Sequence, residues 1–202
     1  MLKHALFASS ALLVLAGCTT TAIPGSPVTS STVTTAEAEQ PAAATAAPAV
    51  PDNVLLAEWT GGFGGVPPWD KVKVTDFPEA LQFAIDEQRR EYRAIADNPQ
   101  APTFANTIEA MQQAGQRLDR VTSVFGVYTD NLSTPEVQAL DKEWSPKLSA
   151  ASDEITLDPK LFQRIEALYN NRASLGLDAV QMRLLTRTYE SFVRNGARLD
   201  PA

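Results

Sequence analysis

The sequence is poor in the side chains that form disulfide bonds or bind transition metals. Its 202 residues include one cysteine, Cys18, and one histidine, His4. A disulfide framework needs at least two cysteines, and zinc sites in proteins are built mainly from cysteine and histidine. The chain by itself therefore contains neither a disulfide bond nor a Cys/His zinc site.

Positive charge is also in short supply. There are 17 Lys and Arg residues against 24 Asp and Glu residues, which gives a formal net charge of -7. Such a chain repels the phosphate backbone, so the composition argues against a nucleic-acid partner. With 202 residues, of which 44% are hydrophobic, the chain can form one modest domain, with or without a tail, but no large multidomain enzyme.

Residues 1–17 are predicted to be a signal peptide. Lys3 and His4 precede an apolar run at residues 5–16, shorter than the roughly 20 residues that a membrane-spanning helix needs. The run ends in the letters LAGC, which resemble the lipobox of bacterial lipoproteins. The resemblance implies cleavage before Cys18 and lipid modification of this cysteine. A signal peptide that merely ends near a cysteine is the alternative.

The lipid anchor would make a membrane surface one partner of the protein. Several acyl chains, each contributing about 0.8 kcal/mol per buried methylene, hold a protein firmly on a bilayer. Thr19, rather than Asp, follows the cysteine. By resemblance to Gram-negative lipoproteins, this residue implies the outer membrane, with the protein facing the periplasm.

Residues 18–53 are predicted to be a disordered tether. They contain five prolines, three charged residues and no aromatic residue, so they cannot close a hydrophobic core. On random-coil scaling, about 35 such residues could hold a domain roughly 30 Å from the membrane. A disordered segment without a spacing role predicts the same structure, and the sequence leaves both open.

Residues 54–202 are predicted to form helices. Asp76 and Glu79 have the spacing of a capping box, and the apolar period after them predicts a helix from Phe77 to Ala96. Apolar residues then recur every three or four positions between residues 108 and 132, which predicts one uninterrupted helix of roughly 26 residues. In addition, residues 55–70 combine aromatic residues with glycines and prolines, and they are predicted to be an ordered loop packed on the helices.

Three further helix starts follow. They are the capping-box pair Ser133 and Glu136, the pair Asp158 and Pro159, and the capping-box pair Asp178 and Gln181. No segment alternates apolar and polar residues with period two, so a sheet is not expected. The predicted fold class is all-α with five amphipathic helices.

Five blocks of this region resemble successive segments of one protein family. They are VPPWDKVKVTDFPEALQFAI (residues 66–85), PTFANTIEAM (102–111), SPKLSAASDEI (145–155), LFQRIEALY (161–169) and YESFVRNGARL (189–199). Together they are similar to the N-terminal helical region of the zinc metallopeptidases that include oligopeptidase A, thimet oligopeptidase and bacterial peptidyl-dipeptidase Dcp. Ala105 stands where the family commonly has an acidic residue, and Pro78 departs from the usual proline placement. Both positions lie at helix starts, so they put local capping in question.

The resemblance implies a function for the family and a role for this region. In that family a downstream helix carries His-Glu-x-x-His and a further glutamate, which hold zinc and activate water. The leading helical region forms one wall of a deep channel that admits short peptides. This chain contains no His-Glu-x-x-His, so no catalytic, cofactor-binding or metal residue is assigned in it, and zinc is expected in the full-length family but not bound by this chain.

The expected function is accordingly the leading part of a lipoprotein zinc metallopeptidase. Asp200 and Pro201 have the composition of a helix start, which favours the interpretation that the reading frame continues. The alternative is a free-standing, lipid-anchored helical module that binds partners or peptides without hydrolysis.

Individual side chains allow two interpretations each. Tyr128, Tyr189, Arg187 and Arg194 could line a peptide channel, with Arg194 pairing with a substrate carboxylate, or they could be packing aromatics and solvated arginines. Asp86 and Arg90 are spaced for an i,i+4 ion pair worth a few tenths of a kcal/mol. Trp59 and Trp69 are expected to pack against the helices, and Trp144 is expected to lie in the core.

Overall fold

Helices make up most of the described chain. The structure is a computed structural model that describes residues 47–62 and 65–199. Its α-helices are α1 (Phe77–Ala96), α2 (Ala110–Gln113), α3 (Gln116–Asn131), α4 (Pro135–Thr156), α5 (Pro159–Asn170) and α6 (Ala179–Arg194). A π-helix (Phe104–Glu109) precedes α2, and 3-10 turns lie at Val74–Asp76 and Arg172–Ser174. No strand forms in these residues, so the predicted all-α class with five amphipathic helices is confirmed, α2 being a single additional turn.

Several predictions concern residues outside the described ranges. These are the signal peptide, the lipid-modified Cys18, most of the tether, Phe63 in the glycine-rich loop, and the helix start at Asp200 and Pro201. Within residues 47–62 and 65–199, no helix combines the length and apolarity that a membrane crossing requires. At the end of the predicted tether, Asn53 donates hydrogen bonds from Nδ2 to the Asp76 carbonyl (2.9 Å) and to Glu79 Oε2 (3.0 Å).

Three of the helix starts have the side-chain caps that such sequences favour. Asp158 Oδ1 accepts hydrogen bonds from the backbone N–H groups of Lys160 (2.8 Å) and Leu161 (3.0 Å), as predicted for α5. The capping box between Asp178 and Gln181 is likewise confirmed for α6. In α4 the cap is Thr134, whose Oγ1 accepts from Val137 N at 3.4 Å, so the predicted Ser133 box is wrong by one residue.

The predicted capping box at the start of α1 is also wrong. Asp76 has helical backbone angles, because the 3-10 turn runs directly into α1. Its carboxylate turns back and accepts from Lys73 N at 2.8 Å. Glu79 accepts instead from Asn53, a residue 26 positions away, so the start of α1 is held by a long-range contact that local spacing cannot reveal.

Two hydrophobic clusters form the core, and α1 contributes to both. The first cluster consists of Leu55, Leu56, Phe77, Ala80, Leu81, Ala84, Ile85, Leu118, Val121, Val124, Phe125, Trp144 and Ala151. The second cluster consists of Ile95, Ala96, Ile108, Met111, Leu161, Phe162, Ile165, Leu168, Leu185, Tyr189 and Phe192. Helices α3 and α4 therefore pack around the first part of α1, and the π-helix, α5 and α6 pack around its end.

The loop before α1 packs on the first cluster, as predicted, although not with all its aromatic residues. Leu55 and Leu56 are each 1% exposed, and Trp59 lies against the cluster. Trp69, by contrast, is 43% exposed and belongs to neither cluster. Trp144 is 3% exposed and belongs to the core as expected.

The long helix predicted after residue 104 is broken at Gly115. Its N-terminal part is the π-helix followed by α2, and α3 begins at Gln116. Ala114 is extended (ψ 144°), and Gly115 has φ +80°, in the left-handed region that L-residues avoid. The Gly115 N–H donates to Glu91 Oε2 of α1 at 2.7 Å. The apolar period continues across the break, which is why periodicity alone predicted a single helix.

A buried arginine joins α5 to the segment before the π-helix. Arg164 is 7% exposed, and its Nη1 donates to the carbonyls of Asn98 (2.9 Å) and Gln100 (3.0 Å). Its Nη2 donates to Asn106 Oδ1 at 2.9 Å. Asn106 also forms a reciprocal capping box with Thr103, so the start of this block is capped although Ala105 departs from the family pattern.

Replacing Gly115 with alanine is expected to destabilise the protein. The left-handed backbone costs an L-residue about 1–2 kcal/mol, and the new Cβ would lie 2.6 Å from Gln88 Nε2. Gly126→Ala is the matched control, because Gly126 lies inside α3 with no atom within 4 Å of a built Cβ. It should stabilise by about 0.5–1 kcal/mol. Urea unfolding followed by circular dichroism measures both, and a loss in the control equal to that in Gly115→Ala would contradict the explanation.

Arg164→Met is expected to lower the free energy of unfolding by about 1–3 kcal/mol, because the carbonyls of Asn98 and Gln100 and the Asn106 side chain lose a charged donor. Arg183→Met provides the comparison, since Arg183 is exposed on α6 and such surface changes stay within about 0.5 kcal/mol. The same unfolding assay applies. Equal effects of the two substitutions would show that Arg164 does not secure the segment before the π-helix.

Candidate functional site

The middle of α1 lies between the two hydrophobic clusters and is polar. None of residues 86–93 is buried, whereas Ile85 before them and Ile95 after them are core residues. Ion pairs and hydrogen bonds connect this segment to its neighbours. Glu87 pairs with Arg117 of α3 at 3.1 Å, and Glu91 accepts from Gly115 N. Tyr92 packs against the second cluster, and the charged residues of the segment join helices at the junction of the clusters.

A cleft of about 740 Å³ opens beside this segment. It lies between α1, α4 and the start of α5. The lining residues are Asp86, Arg89, Arg90, Tyr92, Arg93, Glu154, Ile155, Asp158 and Leu161. Its walls thus combine three arginines and three acidic residues with a small apolar surface.

Arg89 bridges α1 and α4 across this cleft. Its Nε and Nη2 donate to the two carboxylate oxygens of Glu154, at 2.7 and 2.8 Å, and its Nη1 donates to Asp86 Oδ1 at 3.1 Å. The hydrogen bond to Glu154, followed by the attraction of its charge, raises the pKa of Arg89. The predicted pair between Asp86 and Arg90 is therefore wrong, because Arg89 occupies the Asp86 carboxylate.

Arg90 and Arg93 differ from Arg89 in having no carboxylate partner among the described residues. The Arg90 guanidinium lies 5.9 Å from the ring centre of Phe83, a distance compatible with a cation–π contact. Arg93 is exposed. The third acidic residue of the cleft, Asp158, caps α5. The cleft therefore has two positive charges that are not neutralised by an adjacent carboxylate.

A second cavity of about 330 Å³ adjoins the cleft. Tyr92 and Ile155 line both of them. The other residues of this cavity are Gln88, Met111, Leu118, Asp119, Thr122, Leu148, Ser152, Thr156 and Phe192. Met111 and Phe192 belong to the second cluster and Leu118 to the first, so this cavity lies where the clusters meet.

Tyr92 forms the boundary between the cleft and the cavity. Its hydroxyl donates to the Met111 carbonyl at 3.4 Å, a long bond. Burial, with smaller contributions from the charges of Asp119 and Glu91, raises the pKa of the Tyr92 phenol. The side chain therefore stays neutral at physiological pH, and it presents a ring to both spaces.

The four channel-lining candidates from the sequence do not line either space. Tyr128 donates from its hydroxyl to the Val72 carbonyl at 3.1 Å and packs on the first cluster. Tyr189 is buried, with its ring centre 3.8 Å from that of Tyr169. Arg187 and Arg194 are exposed on α6. The two tyrosines are therefore packing aromatics, and the two arginines lie on a solvated face.

The cleft arginines were missed although the sequence contained a signal for them. The sequence predicts only the ion pair between Asp86 and Arg90 within the charged stretch of α1 at residues 86–91. In the structure Ile85 before the stretch belongs to the first cluster and Ile95 after it belongs to the second, so the charged residues lie where the clusters meet. A charged stretch between two sets of core residues indicates such a junction in the sequence. It does not indicate that α4 and α5 lie beside the stretch in the folded chain.

The described residues do not fit a zinc ion. Residues 47–62 and 65–199 contain no cluster of three His, Cys, Asp or Glu side chains with the spacing of a metal site. His4 and Cys18 lie outside these ranges, so the available donors are carboxylates, which suit hard cations better than zinc. No chemical step can be assigned to a metal held by this part of the chain.

Two curated relatives share sequence with the chain. A dipeptidyl carboxypeptidase of Escherichia coli (strain K12) is 39% identical over 136 residues, which are 67% of this chain and 20% of that protein. A dipeptidyl carboxypeptidase of Salmonella typhimurium (strain LT2) is 39% identical over 133 residues, or 66% of this chain and 20% of that protein. No family model matches the chain. The chain spans about a fifth of the length of these relatives.

Proposed function

Because the aligned two thirds of the chain belong to the dipeptidyl carboxypeptidase family, we propose that the described helices are a peptide-binding part of a peptidase of that type. The observation that carries the proposal is the 39% identity over 136 residues. In this proposal the helices form a wall of the substrate channel and hold short peptides. Hydrolysis needs zinc ligands that this sequence does not contain.

The junction of the two clusters supports a binding role. A binding wall needs a concave surface with a few polar groups that orient the ligand, and the cleft beside α1 has this character. The bridge from Arg89 to Glu154 fixes the width of this cleft by joining α1 to α4. Peptide binding of this kind orients a substrate but does not cleave it.

Peptide binding without cleavage is the expected behaviour of the chain expressed from its whole sequence and purified from membranes in detergent. A set of fluorescent tetrapeptides should bind in an anisotropy titration, and liquid chromatography should detect no released dipeptides with or without added zinc. An immunoglobulin domain at the same concentration controls for adsorption of the label. Zinc-dependent release of dipeptides by the pure chain would contradict the non-catalytic role, and the absence of peptide binding would contradict the binding role.

The location is part of the same proposal. We propose that Cys18 carries the lipid anchor, that residues 18–53 are the tether, and that the protein lies on the outer membrane facing the periplasm. The support is the LAGC sequence, the Thr19 that follows it and the composition of the tether.

Lipid attachment is tested by changing the cysteine. Cells that express the full chain should incorporate labelled palmitate into it, and Cys18→Ser should abolish the label. The matched control is Ser26→Ala in the tether, which should leave the label unchanged. Equal labelling of wild type and Cys18→Ser would contradict the anchor, and fractionation into the inner membrane would contradict the outer-membrane location.

A further inference from the structure

The charges around the cleft do not cancel locally, although the numbers of arginines and acidic residues are equal. The carboxylates of Asp86 and Glu154 are both engaged by Arg89. Asp158 Oδ1 accepts two backbone N–H groups at the start of α5. Each acidic residue thus has a partner, and the guanidinium groups of Arg90 and Arg93 are left to the cleft. These two groups favour an anionic ligand.

The adjoining cavity has a different chemical character. Its apolar lining comes from Met111, Leu118, Leu148 and Phe192, which belong to four different helices. Tyr92 of α1 and Ile155 of α4 line both spaces, so the cleft and the cavity lie next to each other between these two helices. A ligand that matches both spaces carries a negative group at one end and an apolar group at the other.

We propose that the cleft and the cavity form one groove, which binds a carboxylate of a short peptide at Arg90 and Arg93 and an apolar side chain of the same peptide in the cavity. This inference rests on the proposed peptide-binding function and specifies where and how the peptide is held. The carboxylate can come from the peptide's C-terminus or from an acidic side chain, because guanidinium binds both in the same way. Arg90 and Arg93 are then specificity-determining residues, and the cavity selects the apolar neighbour.

The arginines are tested with peptides of defined charge. The first peptide is an N-acetylated alanine tripeptide extended by a C-terminal phenylalanine with a free carboxylate. The second is its amide, and the third is an amide with one alanine replaced by glutamate. The wild-type full chain should bind the first or the third, or both, at least tenfold more tightly than the second, a difference of about 1.4 kcal/mol. Whichever of the two binds identifies the source of the carboxylate.

The double substitution Arg90→Gln and Arg93→Gln should remove this tenfold preference for a carboxylate. Arg183→Gln is the matched control, since Arg183 is exposed on α6 and lines neither space. The preference should also weaken as salt increases, because exposed charges are screened.

The cavity is tested by filling it from its rim. Ser152 is an exposed residue of α4 that lines the cavity, so Ser152→Phe should place a ring in it and weaken peptide binding at least fivefold. Ser149→Phe makes the same change at an exposed position of α4 that lines neither space, and binding should persist. Circular dichroism of each variant verifies that the helices are retained.

The outcomes separate this inference from the function on which it rests. Equal binding of all three peptides, or an unchanged preference after the arginine substitutions, would overturn the groove while peptide binding stands. Equal effects of Ser152→Phe and Ser149→Phe would overturn the role of the cavity. If the wild-type chain binds no peptide, the proposed function fails and the groove fails with it.

Discussion

Helix α1 contributes to both hydrophobic clusters, and this is why the residues in the middle of the helix are polar. Phe77 and Leu81 pack in the first cluster and Ile95 in the second. Between these residues α1 passes from one cluster to the other, and none of residues 86–93 is fully buried, although Tyr92 packs against the second cluster. Residues 86–93 are therefore free to be polar, and they form the ion pairs that connect α1 with α3 and α4. The cleft and the adjoining cavity arise at this same junction.

Most of the helices could be predicted from the sequence because their signals are local. Helix α1 has the predicted bounds, and the Asp158 and Asp178 caps were correctly identified. The helix end at Gly115 could not be predicted because glycine is compatible with an apolar helical period as well as with a helix end. The decisive facts at this position, a φ of +80° and a bond from its N–H to Glu91, depend on the approach of α1. Local spacing contains no information about that approach.

The candidate groove was less predictable than the fold, and for the same physical reason. Arg89 donates to Asp86 of its own helix and to Glu154 of α4, and the second contact depends on where α4 lies. Because Arg89 pairs with Asp86, Arg90 lacks the partner that the i,i+4 spacing predicts. The family resemblance implies a channel wall, and the four channel-lining candidates in the sequence line neither the cleft nor the cavity. The identity to dipeptidyl carboxypeptidases supports the family, whereas the proposed groove rests on contacts within this chain.

Arg89 and Arg164 both connect distant segments, but their acceptors are of different kinds. Arg89 donates to the carboxylates of Asp86 and Glu154, which are about half exposed, and salt screens such charges. Arg164 is buried and donates to two backbone carbonyls and an amide oxygen, which carry no net charge. Added salt therefore weakens the attachment of α4 to α1 through Arg89 more than it weakens the attachment of Arg164 to the segment that leads into the π-helix.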